Sequence, residues 1–156
     1  MNTWIFQGNP KTYQIDVYLR SRVGKQVIWE VSQQQYRHAI AIGDEVFIWR
    51  ADGGRPRSGG VVGRGLIATL PAMIEDGAPE LWKEKRLAHV ALRVVIDLLE
   101  VRLTTAEGML TRDQIYMEPA LADLTILRMA QRTNYRLAPD QAEALRRLWQ
   151  QPQVDE

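Results

Sequence analysis

The sequence predicts an α+β domain: a mixed, curved sheet or small open barrel of about five or six strands with short helices between them. Three observations predict it. Short runs rich in β-branched and aromatic residues recur along the chain, and glycine, proline and aspartate punctuate them. Only one segment, near the C-terminus, carries a strong helical stripe. The chain has 156 residues, which is one domain's worth, read here as a single domain over 1–150 with a flexible tail over 151–156.

Trp4 to Gln7 reads as an opening strand. Asn9-Pro10 stops it, because proline biases the residue before it toward extended or turn geometry. From Tyr13 to Leu19 two patterns compete. Alternation of Tyr13, Ile15, Val17 and Leu19 fits a strand, while Ile15, Tyr18 and Leu19 share one face of a short helix. Gln26–Val31 is a β-branched, aromatic strand, and Ser32–Ile42 a short helical stretch or turn. Glu45–Arg50 is the strongest strand pattern in the chain. Ser58–Ala68 is a glycine-rich strand, where another backbone or a ligand can come close. Residues 72–82 read as a polar connection leading to Trp82. His89–Arg102 reads as a long buried strand, with helix as the competing reading and its Val/Ile content favouring strand. Asp113–Met117 reads as a turn and Ala120–Leu127 as a short apolar segment. Pro139–Gln150 is a helix whose Ala142, Leu145, Leu148 and Trp149 form one stripe, with Pro139 in the first turn, where no N–H donor is needed.

Composition narrows the function. Hydrophobic residues are 46% and charged residues 25%, so disorder is not expected. There is no cysteine, which excludes disulfides, thiolate metal sites and cysteine nucleophiles and points to a cytoplasmic setting. No apolar run approaches the ~18 residues of a membrane span, and the opening MNTWIFQGNP lacks the pattern of a signal peptide. Net charge is +1, but residues 1–70 carry nine Lys/Arg against five Asp/Glu. This is a weak basic bias in the first half. Five Trp and five Tyr against two Phe is an unusual balance, suited to a wet pocket or an interface because each ring carries a polar handle.

No catalytic constellation is visible. His38 and His89 have no second histidine at metal-ligand spacing and read as surface or structural residues. The glycines at 59, 60, 63 and 65 lack the Gly-Lys-Ser/Thr of a phosphate loop. The acid pairs Asp44/Glu45 and Glu75/Asp76 read as solvated loop residues. Nothing assembles a nucleophile, a base and an orienting group, and no cofactor or metal is expected.

What stands out is an ordered set: a strand ending in Asn9-Pro10, Trp29 at the end of Gln26–Val31, the Gly43-Asp44 turn before Val-Phe-Ile-Trp49, Gly53-Gly54, the glycine-rich strand, and Thr133–Leu137 running into Pro139-Asp140-Gln141. Over most of its length the chain resembles the EVE domain family, part of the PUA-like group that includes the YTH readers of methylated adenine. The resemblance implies a PUA-like sheet curled around a pocket that takes a flipped, modified base. Methylated or hydroxymethylated cytosine in DNA is favoured over a modified base in RNA. Aromatic faces would sandwich such a base, a methyl would fill an apolar gap, and buried polar groups would reject the wrong edge. Carried over by position, Trp29 is the leading wall of the pocket, Trp82 a second, and Trp49 either lines the pocket or packs beneath it. Gln7, Gly8 and Asn9 would meet the base edge, although Asn9 before Pro10 is also an ordinary turn residue. Ser32 and Gln33 would reach the same pocket, and Asp113 sits in a run like one that touches the base in YTH relatives. Arg55, Arg57, Arg37, Arg64 and Arg112 are candidates for phosphate contact. The implied partners are nucleic acid bearing a modified base and, if the chain acts in restriction or defence, a separate nuclease; no membrane is expected. Trp4 and Trp149 read as core.

Overall fold

The computed structural model describes residues 1–83 and 89–151. In chain order its elements are β1 (Thr3–Gly8), α1 (Ile15–Arg22), β2 (Gln26–Glu30), β3 (Glu45–Arg50), β4 (Gly60–Ile67), β5 (Ala72–Ile74), β6 (Ala91–Val101), β7 (Leu110–Thr111), α2 (Arg112–Met117), α3 (Thr125–Arg128), β8 (Asn134–Arg136) and α4 (Pro139–Gln150). Short 3-10 turns lie at Gln34–Tyr36, Pro79–Leu81 and Pro119–Leu121.

The strands form one mixed sheet in the order β2-β6-β4-β3-β1-β8, with β5 added to β6 and β7 to β4. β1 and β3 run parallel, and every other pairing is antiparallel. Register shifts at Ile48/Trp49 and at Arg64/Gly65 mark two bulges, the usual device for curling a sheet. Curling brings the ends of the strand order, β2 and β8, near one another, and side-chain amides bridge the gap. Asn134 is fully buried; its Nδ2 donates to Glu30 O at 3.0 Å and its Oδ1 accepts from Ser32 N at 2.9 Å. Gln33 Oε1 accepts from Thr133 N and Asn134 N at 3.1 and 2.8 Å.

Two apolar clusters cover the sheet. One holds Trp4, Phe6, Val46, Ile48, Trp29 and the α1 residues Ile15, Tyr18 and Leu19; the other holds Ile5, Phe47, Trp49, Val61, Leu145 and Trp149. β3 lies between them and is buried at every position, which is why its pattern is apolar without alternation.

The five long strands and the terminal helix fall where the periodicity put them. The open segment after Tyr13 resolves as helix, with Ile15, Tyr18 and Leu19 on its buried face. Three shorter strands of two or three residues raise the count to eight, and one of them, β5, lies in the stretch read as a polar connection. Asp113–Met117 is helix rather than turn. Thr111 caps it: Gln114 N donates to Thr111 Oγ1 at 3.2 Å while Thr111 N donates to Gln114 Oε1 at 2.9 Å. Asp44 and Glu45 are not solvated. Asp44 is 1% exposed and accepts from Trp4 Nε1, Ala41 N and Asn2 N, and Glu45 pairs with Arg64 and Arg146. The expected flexible tail, apart from Gln151, lies outside the described residues. Among the described residues no helix is long and apolar enough to cross a membrane.

Candidate functional site

A cavity of about 400 Å³ opens between the ends of β1 and β2, the 76–82 segment and the 130–133 segment. Its size falls in the range of small-molecule pockets, roughly 300–1,000 Å³. Trp29 forms one wall. The outward end of β2 carries it, and its Nε1 donates to Gln7 O at 3.3 Å, which fixes the ring against the end of β1. Gly8 makes this approach possible: a Cβ there would lie 3.2 Å from Trp29 Cζ2 and 2.5 Å from Ile15 Cδ1.

Trp82 and Tyr13 form a second wall. Their backbones pair locally, with Gln14 N donating to Leu81 O at 3.0 Å and Lys83 N to Thr12 O at 2.9 Å. The two ring centroids are 4.9 Å apart with planes at 52°. Tyr18 meets Tyr13 edge-on at 5.5 Å, and its hydroxyl accepts from Ile28 N at 2.8 Å. Burial pushes both phenols above their ordinary range. Neighbouring Tyr18, Asp76 and Glu80 push Tyr13 further, so both stay neutral O–H groups at physiological pH.

The polar groups of the pocket are unevenly distributed. Asp76 Oδ2 accepts from Trp82 Nε1 at 2.6 Å and its Oδ1 from Ala78 N at 2.8 Å. Beneath it Arg93, 2% exposed, donates from Nη1 to Ile74 O at 2.7 Å and to His89 O. Arg93 Nη2 lies 3.6 Å from Asp76 Oδ2 and has no hydrogen-bond partner among the described residues. Glu30 stands at the rim. Its Oε2 accepts from Ser32 Oγ at 2.8 Å, and its Oε1 is 3.9 Å from His89 Nε2. Gln7 Nε2 donates to Ala130 O and Arg132 O at 2.9 and 2.7 Å, holding the 130–133 wall in place. Among the described residues no group of three or more His, Asp or Glu converges as a metal site.

Five of the nine pocket candidates line this cavity: Gln7, Gly8, Asn9, Trp29 and Trp82. Asn9 combines both of its readings. Its Oδ1 accepts from Lys11 N at 2.9 Å in the turn, and the residue also borders the cavity. Ser32 and Gln33 do not line the cavity; they brace its rim through Glu30 and Thr133. Trp49 is 3% exposed and belongs to the opposite face of β3, with Phe47 and Val61, because strand alternation separates it from Val46 and Ile48. Asp113 is exposed in the first turn of α2, away from the cavity.

Of the arginines, Arg37, Arg55 and Arg57 are exposed. The Arg55–Arg57 loop abuts the pocket's entrance turn: a Cβ on Gly53 would meet the Pro10 ring at 2.9 Å. Arg64 is paired with Glu45 at 2.7 Å and Glu100 at 3.7 Å, whereas Arg112 is exposed and its Nη2 donates to the neutral Leu127 O at 2.8 Å, which leaves its charge uncompensated by that contact. Sequence reasoning missed Tyr13, Tyr18, Asp76, Glu30, Arg93 and Arg132 as lining residues. Arg93 had a signal. It is a charge within an otherwise apolar strand run, where an unpaired guanidinium would be costly.

A mixed sheet that curls until amides bridge its ends, with an aromatic-lined pocket at the seam, places the chain in the PUA-like class of α+β folds. The chain belongs to the EVE domain family, whose sequence model matches residues 2–148. No curated protein matches it. Among solved structures it is similar to a hypothetical protein from Leishmania major (TM-score 0.67, 14% identity, covering 96% of this chain and 94% of that one). It is similar to human THYN1 in complex with 5-methylcytosine-containing DNA (0.65, 12%, 98% and 100%). It is also similar to the YTH domain of Zygosaccharomyces rouxii MRB1 in complex with N6-methyladenosine RNA (0.54, 8%, 99% and 88%). At these identities the likeness establishes the shared fold.

Proposed function

We propose that this domain is a non-catalytic reader that takes a flipped, modified base of nucleic acid into the cavity between Trp29 and the Tyr13–Trp82 pair. The observation that carries the reading is the pairing of flat aromatic walls with a polar floor in a cavity of about 400 Å³. Stacking on aromatic faces contributes roughly 1–3 kcal/mol per base, and a buried methyl adds about 0.8 kcal/mol. The two walls thus serve as an aromatic cage. Methylated or hydroxymethylated cytosine in DNA is the favoured ligand; family membership and the DNA held by THYN1 support it. Arg55, Arg57 and Arg132, at or beside the entrance, suit phosphate contact, with Arg37 as a further exposed cation. The reading includes a cytoplasmic setting and a separate nuclease as effector.

An RNA reader is the second reading, supported by the RNA-bound YTH domain. An amidohydrolase needs a lysine and an acid converging in the pocket. Glu30 and Asp76 line it, but Lys25 does not. The test is a fluorescence titration with short DNA and RNA carrying cytosine, 5-methylcytosine, 5-hydroxymethylcytosine, adenine or N6-methyladenine at one position. A preference of at least tenfold (about 1.4 kcal/mol) for one modified base, lost in Trp29→Ala and Trp82→Ala, supports the reading. Binding blind to modification and to both substitutions removes it.

A further inference from the structure

We infer that Asp76 is the group that selects the base by its exocyclic amine, so that the pocket takes cytosine-type bases and rejects thymine and uracil. The inference rests on the reading of the cavity as a base pocket and adds a residue and a chemical rule to it. An ionised carboxylate only accepts, at roughly four lone-pair sites. Asp76 uses two of them internally, for Trp82 Nε1 and Ala78 N, and borders the cavity with acceptor capacity left over. These two contacts fix the carboxylate beside Trp82 in the cavity lining, so that a base stacked on Trp82 would have an edge within its reach. The buried Arg93, which also lines the cavity, holds a positive charge 3.6 Å from Asp76 Oδ2, and its Nη2 has no hydrogen-bond partner among the described residues. Glu30, the other acid of the pocket, is a rim residue: its side chain is 36% exposed against 11% for Asp76.

The chemistry of the edge follows. At this position cytosine presents an amine that donates, and thymine presents a carbonyl that accepts. A carbonyl set against the carboxylate brings two acceptors together with no donor between them, and in a desolvated site that is costly. 5-Methylcytosine and thymine carry the same methyl on rings of the same size and differ along one edge, in the 4-amine against a carbonyl and in N3 as acceptor against N–H; 5-methylpyrimidin-2-one keeps N3 as an acceptor and lacks only the amine. Stacking and methyl burial therefore cannot separate them, and the amine can.

The test compares 5-methylcytosine, thymine and 5-methylpyrimidin-2-one, which lacks the amine, at one position of otherwise identical oligonucleotides. They are used single-stranded, and in duplexes opposite an abasic site, so that no pairing energy enters. The wild-type protein is expected to bind 5-methylcytosine at least tenfold more tightly than either analogue. In Asp76→Asn the amide supplies a donor toward the thymine carbonyl, and the preference over thymine should fall below about threefold. The amide keeps only one acceptor for the two internal donors, so its folding is checked by circular dichroism; the analogue series on wild-type protein needs no folded variant. Asp113→Asn, at an exposed acid away from the cavity, should leave the preference intact. Equal binding of the three bases, still lost in Trp29→Ala, overturns the role of Asp76 and leaves the base-reader reading standing. A preference undiminished in folded Asp76→Asn also overturns it. Absence of any Trp29-dependent binding to 5-methylcytosine overturns both.

Discussion

Gly8 is where backbone, helix and pocket wall meet. Its missing side chain lets Trp29 and Ile15 approach the end of β1. Gly8→Ala puts a methyl group into a space already occupied by both, and overpacking of this kind costs about 1–3 kcal/mol. The expected result is a lower urea midpoint together with a shifted Trp emission, since the indole of Trp29 must move. An unchanged midpoint and spectrum would show that α1 yields freely. The same scale explains why Trp82 holds its orientation despite sitting outside the long strands. Its indole N–H is fixed by a carboxylate that the neighbouring Ala78 N–H also holds.

Between elements, the seam between β2 and β8 carries unusual weight. A single amide, Asn134, satisfies the backbone carbonyl of Glu30 and the N–H of Ser32. Asn134→Ala removes the partners of two part-buried backbone groups, each bond contributing about 0.5–1.5 kcal/mol. A urea midpoint that falls with an unchanged slope is expected; no shift would mean water replaces the amide. A surface clamp behaves differently. Arg20 donates to both oxygens of Glu107, joining α1 to the 104–107 turn, and holds the Glu107 carboxyl down to about 2 from its ordinary 4.5. A lowered folded-state value means the contribution is complete above the ordinary value and is lost as pH falls toward about 2. The stability difference between wild type and Glu107→Gln should therefore be constant near neutrality and shrink between about pH 4.5 and 2. Urea midpoints across that range test it, and a difference independent of pH would contradict it. Local features were the ones legible in the sequence: the β-branched runs of β2, β3 and β6 and the Pro139 start of α4; Trp29 and the Gln7–Asn9 strand end were joined through the family resemblance. What stayed hidden depends on contacts distant in sequence. Tyr13 faces Trp82 only because residues 12–14 pair with 81–83, and Asp76 leaves solvent only because β5 docks on β6 above Arg93. The side taken by Trp49 stayed open for the opposite reason. A strand buried on both faces has no alternation to say which side a ring takes.

At the scale of the molecule, a net charge of +1 gives little general attraction to nucleic acid, so affinity must come from the pocket and a few local cations. If four to six phosphates are contacted around the entrance, log K should fall against log salt with a slope near −0.7 per contact on single strands. Arg55→Ala and Arg57→Ala should each flatten that slope by under one unit and leave the choice of base unchanged. A slope near zero would place binding in the pocket alone, and a change in base preference would bring the loop into the site. The central claim is that Trp29 and Trp82 enclose a modified base. Its most direct measurement is the titration of wild type, Trp29→Ala and Trp82→Ala with oligonucleotides differing only in the 5-methyl group of one cytosine. The account predicts a preference of at least tenfold for the methylated strand in wild type and none in either variant. Equal affinity for both strands in all three proteins would contradict it.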